Sequence, residues 1–242
     1  MQQLLILSDI HGNISALKRV LEDVDTTFSP EAAVILGDSI DYGMCSNEVC
    51  GILESFKIPV IATLWGNHEY AVMMEDYNHF SSQRGIDSAK HTRKTISEKS
   101  REYLNTVAGK KGMMEFEYFG KSFLAVHGSL ENTYWKSITV GGNFHGYAKY
   151  DYVLSGHSHI PHYFPVFFET ADSVMRNKKR TVFINPGSVG QPRNHDSHAQ
   201  YAVLDFQNGV MMRSVEYDIR FEQSLFTDEV DRFYRDRLER GV

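Results

Sequence analysis

This sequence predicts an α/β fold, on three observations. Short runs that are apolar throughout recur along its first third, helix-spaced segments alternate with them, and each run stops at a cluster of Gly, Asp, Asn or His. Continuous apolar runs suit strands covered on both faces, and alternation of strand with helix favours parallel pairing.

Leu4-Leu-Ile-Leu7 is the first run, and it ends in Ser-Asp9-Ile-His11-Gly-Asn13. Ile14, Leu17, Leu21 and Val24 then share a helical face, opposite Lys18, Arg19, Glu22 and Asp23. Ala32-Ala-Val-Ile-Leu36 repeats the strand and breaks at Gly37-Asp38-Ser-Ile-Asp41-Tyr-Gly43, with a helix expected from Glu48 to Phe56. Pro59-Val-Ile-Ala-Thr-Leu64 is the third strand and breaks at Gly66-Asn67-His68-Glu69. These alternations predict a right-handed start with at least partly parallel pairing.

From about 70 to 112 the chain turns polar and helix-prone, with Ile96, Tyr103, Leu104 and Val107 as apolar anchors; a helical insert over one edge of the core is expected. Met113 to Tyr118 and Ser122 to Val126 read as a hairpin turning at Gly120-Lys121, and the second strand runs into His127. Tyr152-Val-Leu154, Thr181-Val-Phe-Ile184 and Tyr201 to Phe206 are further strands. The last of these turns at Asn208-Gly209 into Val210 to Asp218, and Phe221 to Arg240 reads as a closing, charged helix. One domain over residues 1–242, carrying the insert, accounts for the pattern.

A chain of 242 residues can bury a substantial core. Its net charge of -6 offers no basic field, so neither long nucleic acid nor an anionic lipid surface is an expected partner. No apolar stretch approaches the roughly 20 residues that a bilayer requires. Cys45 and Cys50 lack zinc-site spacing and read as free thiols. No basic segment precedes Leu4, so no secretory leader is expected, and the expected protein is soluble and cytoplasmic.

Function is legible at the strand ends. The segment Tyr150-Asp-Tyr-Val-Leu-Ser-Gly-His157-Ser-His159 organises the rest, because two imidazoles at i and i+2 just beyond a strand can aim at one point. Asp9, His11, Asp38, Asn67, His68 and His127 occupy similar positions after other strands. Loops leaving the carboxyl ends of strands in α/β sheets converge on the rim where ligands bind. The gathered donors are nitrogen and oxygen with no thiolate, which suits Mn, Fe, Zn, Ni or Co, and they outnumber what one ion needs. Two divalent metal ions sharing a bridging carboxylate are therefore expected.

Five blocks, Asp9-x-His11, Gly37-Asp38-x-x-Asp41-x-Gly43, Gly66-Asn67-His68-Glu69, Val126-His127-Gly128 and Gly156-His157-x-His159, together resemble those of the calcineurin-like metallophosphoesterase superfamily. Asn185-Pro-Gly-Ser-Val-Gly-Gln-Pro-Arg193 is similar to the branch of small prokaryotic predicted phosphodiesterases. The resemblance implies a four-layer α-β-β-α sandwich of two mixed sheets flanked by helices, with the dinuclear centre where the sheets meet. It implies one ion on Asp9, His11 and His159, a second on Asn67, His127 and His157, and Asp38 bridging them. His68 would lie beside the substrate as general acid, with Asp41 orienting its ring. Cations about 3.5–4 Å apart clamp phosphate oxygens and generate hydroxide near neutral pH.

The departures narrow the substrate. Protein serine/threonine phosphatases of this superfamily carry phosphate-clamping arginines where this chain has Tyr42 and Trp65. Arg193 is the expected replacement, lining the substrate site with Asn67 and His68. A metal-dependent phosphodiesterase acting on a small or nucleotide-like phosphate ester is the first expectation; a phosphomonoesterase or a dinucleoside polyphosphate hydrolase is the alternative. A metal-poor protein-binding scaffold is the alternative of another class, and retention of every ligand residue speaks against it. His79, His91, His145, His162, His195 and His198 match no block and are expected on loops or the surface. Tyr134, Trp135 and Phe144 could pack internally or stack on a base.

Overall fold

The computed structural model describes residues 2–242. Strand β1 (Gln3–Leu7) alternates its side chains between two cores. Leu5 and Leu7 pack with Ile14, Leu17 and Val20 of helix α1 (Ile14–Thr27). Leu4 and Ile6 face the other way, against Phe123, Ala125, Leu154, Val182 and Ile184. That two-sidedness is why the run is apolar at every position.

Strand β2 (Ala32–Ile35) pairs parallel with β1, and β3 (Val60–Thr63) pairs parallel with β2. Between them α2 (Ser46–Glu54) begins and ends two residues before the helix expected at 48–56. Helices α3 (Asn67–Met74), α4 (Gln83–Thr95) and α5 (Glu98–Thr106) follow. The Ser82 and Ser97 side chains cap α4 and α5, and Ile96 and Leu104 are buried with Ile40, Cys50 and Val72.

A second sheet contains β4 (Met113–Tyr118), β5 (Lys121–Val126), β6 (Tyr152–Ser155), β7 (His162–Glu169) and β8 (Lys178–Asn185), in the order β4-β5-β6-β8-β7. Its central strands β5, β6 and β8 are parallel. The chain then returns to the first sheet with β9 (Ala199–Asp205) and β10 (Gly209–Val215), giving the order β10-β9-β1-β2-β3. Two mixed five-stranded sheets, flanked by helices, thus form the expected sandwich. The outer face of the second sheet is covered by Leu130, Ile138, Phe144, Tyr147 and Tyr150. Phe144 packs on Phe164 and Phe183, which settles its role as internal.

Two elements differ from expectation. β7 was not anticipated, because Pro165 interrupts its pattern; proline is tolerated on edge strands, and β7 is an edge. The closing helix at 221–240 is not continuous. It is α6 (Ile219–Ser224), then α7 (Arg232–Asp236), then a 3-10 turn (Arg237–Glu239). Asp231 accepts a hydrogen bond from Phe233 N at 2.8 Å, and a side-chain cap inside the stretch starts a new helix. The break turns Tyr234 onto Tyr42, ring to ring at 4.1 Å. Among the described residues no helix is long and apolar enough to cross a membrane.

Phe123 is 1% exposed between the sheets and stacks on Phe116 and Tyr152. Phe123→Ala is expected to cost about 3–5 kcal/mol in urea denaturation. A loss under about 1 kcal/mol would contradict this packing, being far below the usual cost of emptying an aromatic site.

Candidate metal centre

Loops from the two sheets are stitched together at one rim. Asp9 N donates to Gly37 O at 3.0 Å and His11 N to Asp38 O at 2.9 Å, joining the ends of β1 and β2. Gly156 N donates to His127 O at 3.0 Å, joining β6 to β5, and Gly190 N donates to Asp9 O at 3.1 Å, joining the sheets. These loops are contorted. Among the described residues twelve non-glycines have left-handed φ, and seven of them are Asp9, His11, Asp38, Asp41, Tyr42, His157 and His159. Such conformations cost of order 1–3 kcal/mol each and persist where function requires them. Two glycines allow the loops to close. A Cβ on Gly66 would lie 2.1 Å from Asp38 Oδ1, and one on Gly156 would lie 2.2 Å from Ser8 Oγ.

The side chains converge as expected. Asp9, His11, Asp38 and His159 place ligand atoms within 4.8 Å of one another, and Asp38, His127 and His157 form a second such group. Asn67 Oδ1 lies 3.1 Å from His127 Nε2 and 2.9 Å from His157 Nδ1, so it adjoins the second group. Asp38 is common to both.

The ring orientations test whether this set fits cations. Nδ1 of His11, His127 and His159 faces the backbone carbonyl of Ile40, Leu36 and Gln191, at 3.3, 2.8 and 2.5 Å. A carbonyl can only accept, so each Nδ1 carries a proton, and on the neutral His11 and His159 rings Nε2 then presents a lone pair. Yet Nε2 of His11 and Nε2 of His159 are 3.2 Å apart, and Nε2 of His159 is also 3.2 Å from Asp9 Oδ1. Asp9 Oδ1 is buried with no hydrogen-bond partner. Acceptors facing acceptors repel unless a cation lies between them, so the residues fit metal ions.

The protonation tendencies agree. Burial, reinforced by neighbouring cationic groups, pushes His11 well below its usual value, His157 to about 3 and His159 to about 4, leaving them neutral. Burial disfavours the Asp38 anion, but His127 and His68 outweigh it and hold the carboxyl well below its usual value. Burial also opposes a charge on His127, and the Asp38 carboxylate overcomes it, raising the imidazole to about 9. A cation would compete for the His127 site with that proton.

His68 stands apart from the ligand groups. Its Nδ1 is 2.6 Å from Asp41 Oδ2, and its Nε2 is 4.0 Å from Asp38 Oδ2, facing the cluster. Burial alone would lower its pKa; Tyr42, Asp38 and Asp41 prevail and raise it to about 10. Sequence reasoning missed what holds Asp41. Ser88 and Thr92 of α4 donate to its other oxygen at 2.6 and 2.8 Å. They sit at i and i+4 on one helix face, a weak signal without knowledge of what the face touches. Glu69 was also given no role. Its carboxylate accepts from Gly66 N, Asp38 N and Ser39 N at 2.8, 2.8 and 2.6 Å, tying two ligand loops together.

Arg193 N donates to His159 O at 3.3 Å, beside the first group. Trp135 lies 6.4 Å from the His157 ring and 5.4 Å from Phe80, which itself packs on His68 at 5.2 Å. Tyr134 instead packs on Tyr70. Among the described residues none of His79, His91, His145, His162, His195 and His198 joins a metal-holding group. A surface cavity of about 760 Å³ lined by Arg19, His198, Glu216 and Tyr217 contains none of the ligand residues.

The pattern of the calcineurin-like phosphoesterase superfamily domain matches residues 2–209. The chain belongs to that superfamily. This phosphoesterase is 27% identical over 223 residues to an uncharacterized protein of Methanocaldococcus jannaschii, covering 89% of this chain and 88% of the relative. Its fold is that of a metallophosphoesterase from Sphaerobacter thermophilus, with TM-score 0.75, 24% identity and coverage of 100% of this chain and 99% of the other. A hypothetical protein from Pyrococcus horikoshii has the same fold, with TM-score 0.80, 19% identity and the same coverage.

Asp38→Ala removes the carboxylate shared by both groups and is expected to abolish retention of added manganese, read by elemental analysis after desalting. Full retention in the variant would refute a shared ligand.

Proposed function

We propose that this phosphoesterase is a metal-dependent phosphodiesterase acting on a small or nucleotide-like ester. Asp9, His11 and His159 would hold one divalent ion, Asn67, His127 and His157 a second, and Asp38 would contact both. Mn, Fe, Zn, Ni and Co all suit these donors. One observation carries the reading: the buried lone pairs of His11, His159 and Asp9 converge with no donor between them, beside His68, a histidine that keeps its proton.

The bound ions would polarise phosphoryl oxygens and make water nucleophilic near neutral pH. The chain's own residues do the rest. Arg193, Asn67 and His68 line the substrate side. As the water oxygen bonds to phosphorus, the opposite ester P–O bond breaks, and the leaving oxygen takes the proton from His68 Nε2. Asp41 holds the ring through Nδ1, and Ser88 and Thr92 hold Asp41. Trp135, beside His157, and Phe80, beside His68, suit an aromatic or nucleoside leaving group.

Protein stripped with chelator and resupplied with manganese should hydrolyse bis(4-nitrophenyl) phosphate. No turnover with any of the five metals by folded protein would favour the scaffold instead. His68→Ala should keep its metal content but slow esters with poor leaving groups by roughly a hundredfold or more. Ser88→Ala combined with Thr92→Val should act in the same direction, less severely. An undiminished rate in His68→Ala would remove the imidazole from the chemistry.

A further inference from the structure

Two guanidiniums beside the cluster have no anion. Arg237 is 7% exposed, its Nη2 is buried without a hydrogen-bond partner, and Arg193 Nε is likewise buried and unpartnered. Among the described residues neither arginine forms an ion pair, although the chain carries 31 acidic residues against 25 basic ones, whereas Arg93, Arg213 and Arg235 all find carboxylates. Burying an unpaired cation is costly, and burying two near one another costs more. Arg193 repels Arg237, and burial with that repulsion lowers the Arg237 pKa to about 10.

The placement of Arg237 is specified. Its Nε donates to Gln191 Oε1 at 2.5 Å, and the Gln191 backbone carbonyl accepts from His159 Nδ1. A single residue therefore sets the register between this guanidinium and a metal-facing imidazole. Tyr42, Tyr234 and Phe233 surround it with rings 5.0, 5.0 and 5.2 Å from Cζ, stacking that a guanidinium tolerates and that leaves its N–H edges free. The Tyr42 ring in turn lies 4.6 Å from His11 and 4.4 Å from His68. Arg237 also lines a cavity of about 400 Å³ with Arg84, Arg232, Arg240, Asp231 and Asp236. Residues 210–242, Arg237 included, lie outside the superfamily match.

We propose that Arg193 and Arg237 form a receptor for a second, non-reacting phosphoryl group, so that the ester this protein acts on carries a terminal phosphate in addition to the phosphorus attacked. The proposal rests on the phosphodiesterase reading for its substrate class, but the receptor is a property of the protein itself. A terminal phosphate is dianionic near neutral pH and presents three oxygens, which two guanidinium forks match in charge and in donor number.

The receptor can be tested without turnover. Inorganic phosphate titrated calorimetrically into chelator-stripped protein should bind at one site, roughly tenfold or more weakly in Arg237→Gln, because a charge-assisted hydrogen bond is worth about 1.5–3 kcal/mol. Arg237→Lys, which keeps the charge, should recover part of the affinity. Arg193→Gln, in a loop, gives a second route to the same loss should Arg237→Gln unfold the C-terminal segment. No phosphate binding by the unsubstituted protein, or phosphate affinity in Arg193→Gln and folded Arg237→Gln equal to that of the unsubstituted protein, would overturn the receptor. With manganese restored, the 4-nitrophenyl ester of thymidine 5′-phosphate should be compared with the same ester bearing a 3′-phosphate. The expected preference for the doubly phosphorylated ester should fall about tenfold in Arg237→Gln. An unchanged preference would overturn the substrate assignment. Absence of turnover on both esters, with phosphate affinity still following Arg237, would sink the phosphodiesterase reading and leave the receptor standing.

Discussion

Lone pairs pointed at lone pairs are the constraint on which this structure depends. The imidazoles of His11 and His159 are turned by backbone carbonyls so that their unprotonated nitrogens face one another and the Asp9 carboxylate, and a third carbonyl aims His127 Nε2 at Asp38. Fixing a ring through its far nitrogen sets both tautomer and direction, which is how proteins prepare histidines for metal. Such an arrangement is electrostatically unfavourable when empty, so the surrounding fold must enforce it. Strained loops, two glycines in close approach and the Glu69 carboxylate across three backbone N–H groups supply that enforcement. The sandwich matters because it brings strand ends from two sheets to one rim.

Around this centre the chain adds three layers of specialisation, each from a different segment. The helices after β3 supply hydroxyls that hold Asp41, and through it the orientation of His68. The irregular segment after β5 supplies Trp135, 6.4 Å from the His157 ring. The C-terminal segment supplies Tyr234 and Arg237, packed on the Tyr42 ring. Binding energy from groups remote from a reacting phosphorus can be used to orient it, so under the proposed function these outer contacts would bear on rate as well as selectivity.

Much of this was legible before any coordinates. Strands buried on both faces announce themselves as unbroken apolar runs, and the candidate ligands follow them directly, so Asp9, Asp38, Asn67, His127 and His157 could be gathered by position alone. The rest depends on contacts between distant segments. Ser88 and Thr92 look like ordinary helix-surface residues until α4 is docked over Asp41. Arg237 sits in a highly charged stretch that reads as one closing helix, which a cap at Asp231 restarts. β7 was hidden because a proline that weakens a strand pattern is harmless at an edge. In each case local periodicity was overruled by what the segment packs against.

The central claim is that the converging donors hold a pair of cations. Crystals of the protein grown with manganese, with anomalous diffraction recorded at the manganese absorption edge, address it directly. The account predicts two anomalous peaks about 3.5–4 Å apart, one among Asp9, His11 and His159, the other among Asn67, His127 and His157, with Asp38 between them. No peak within reach of these side chains at saturating manganese would contradict it.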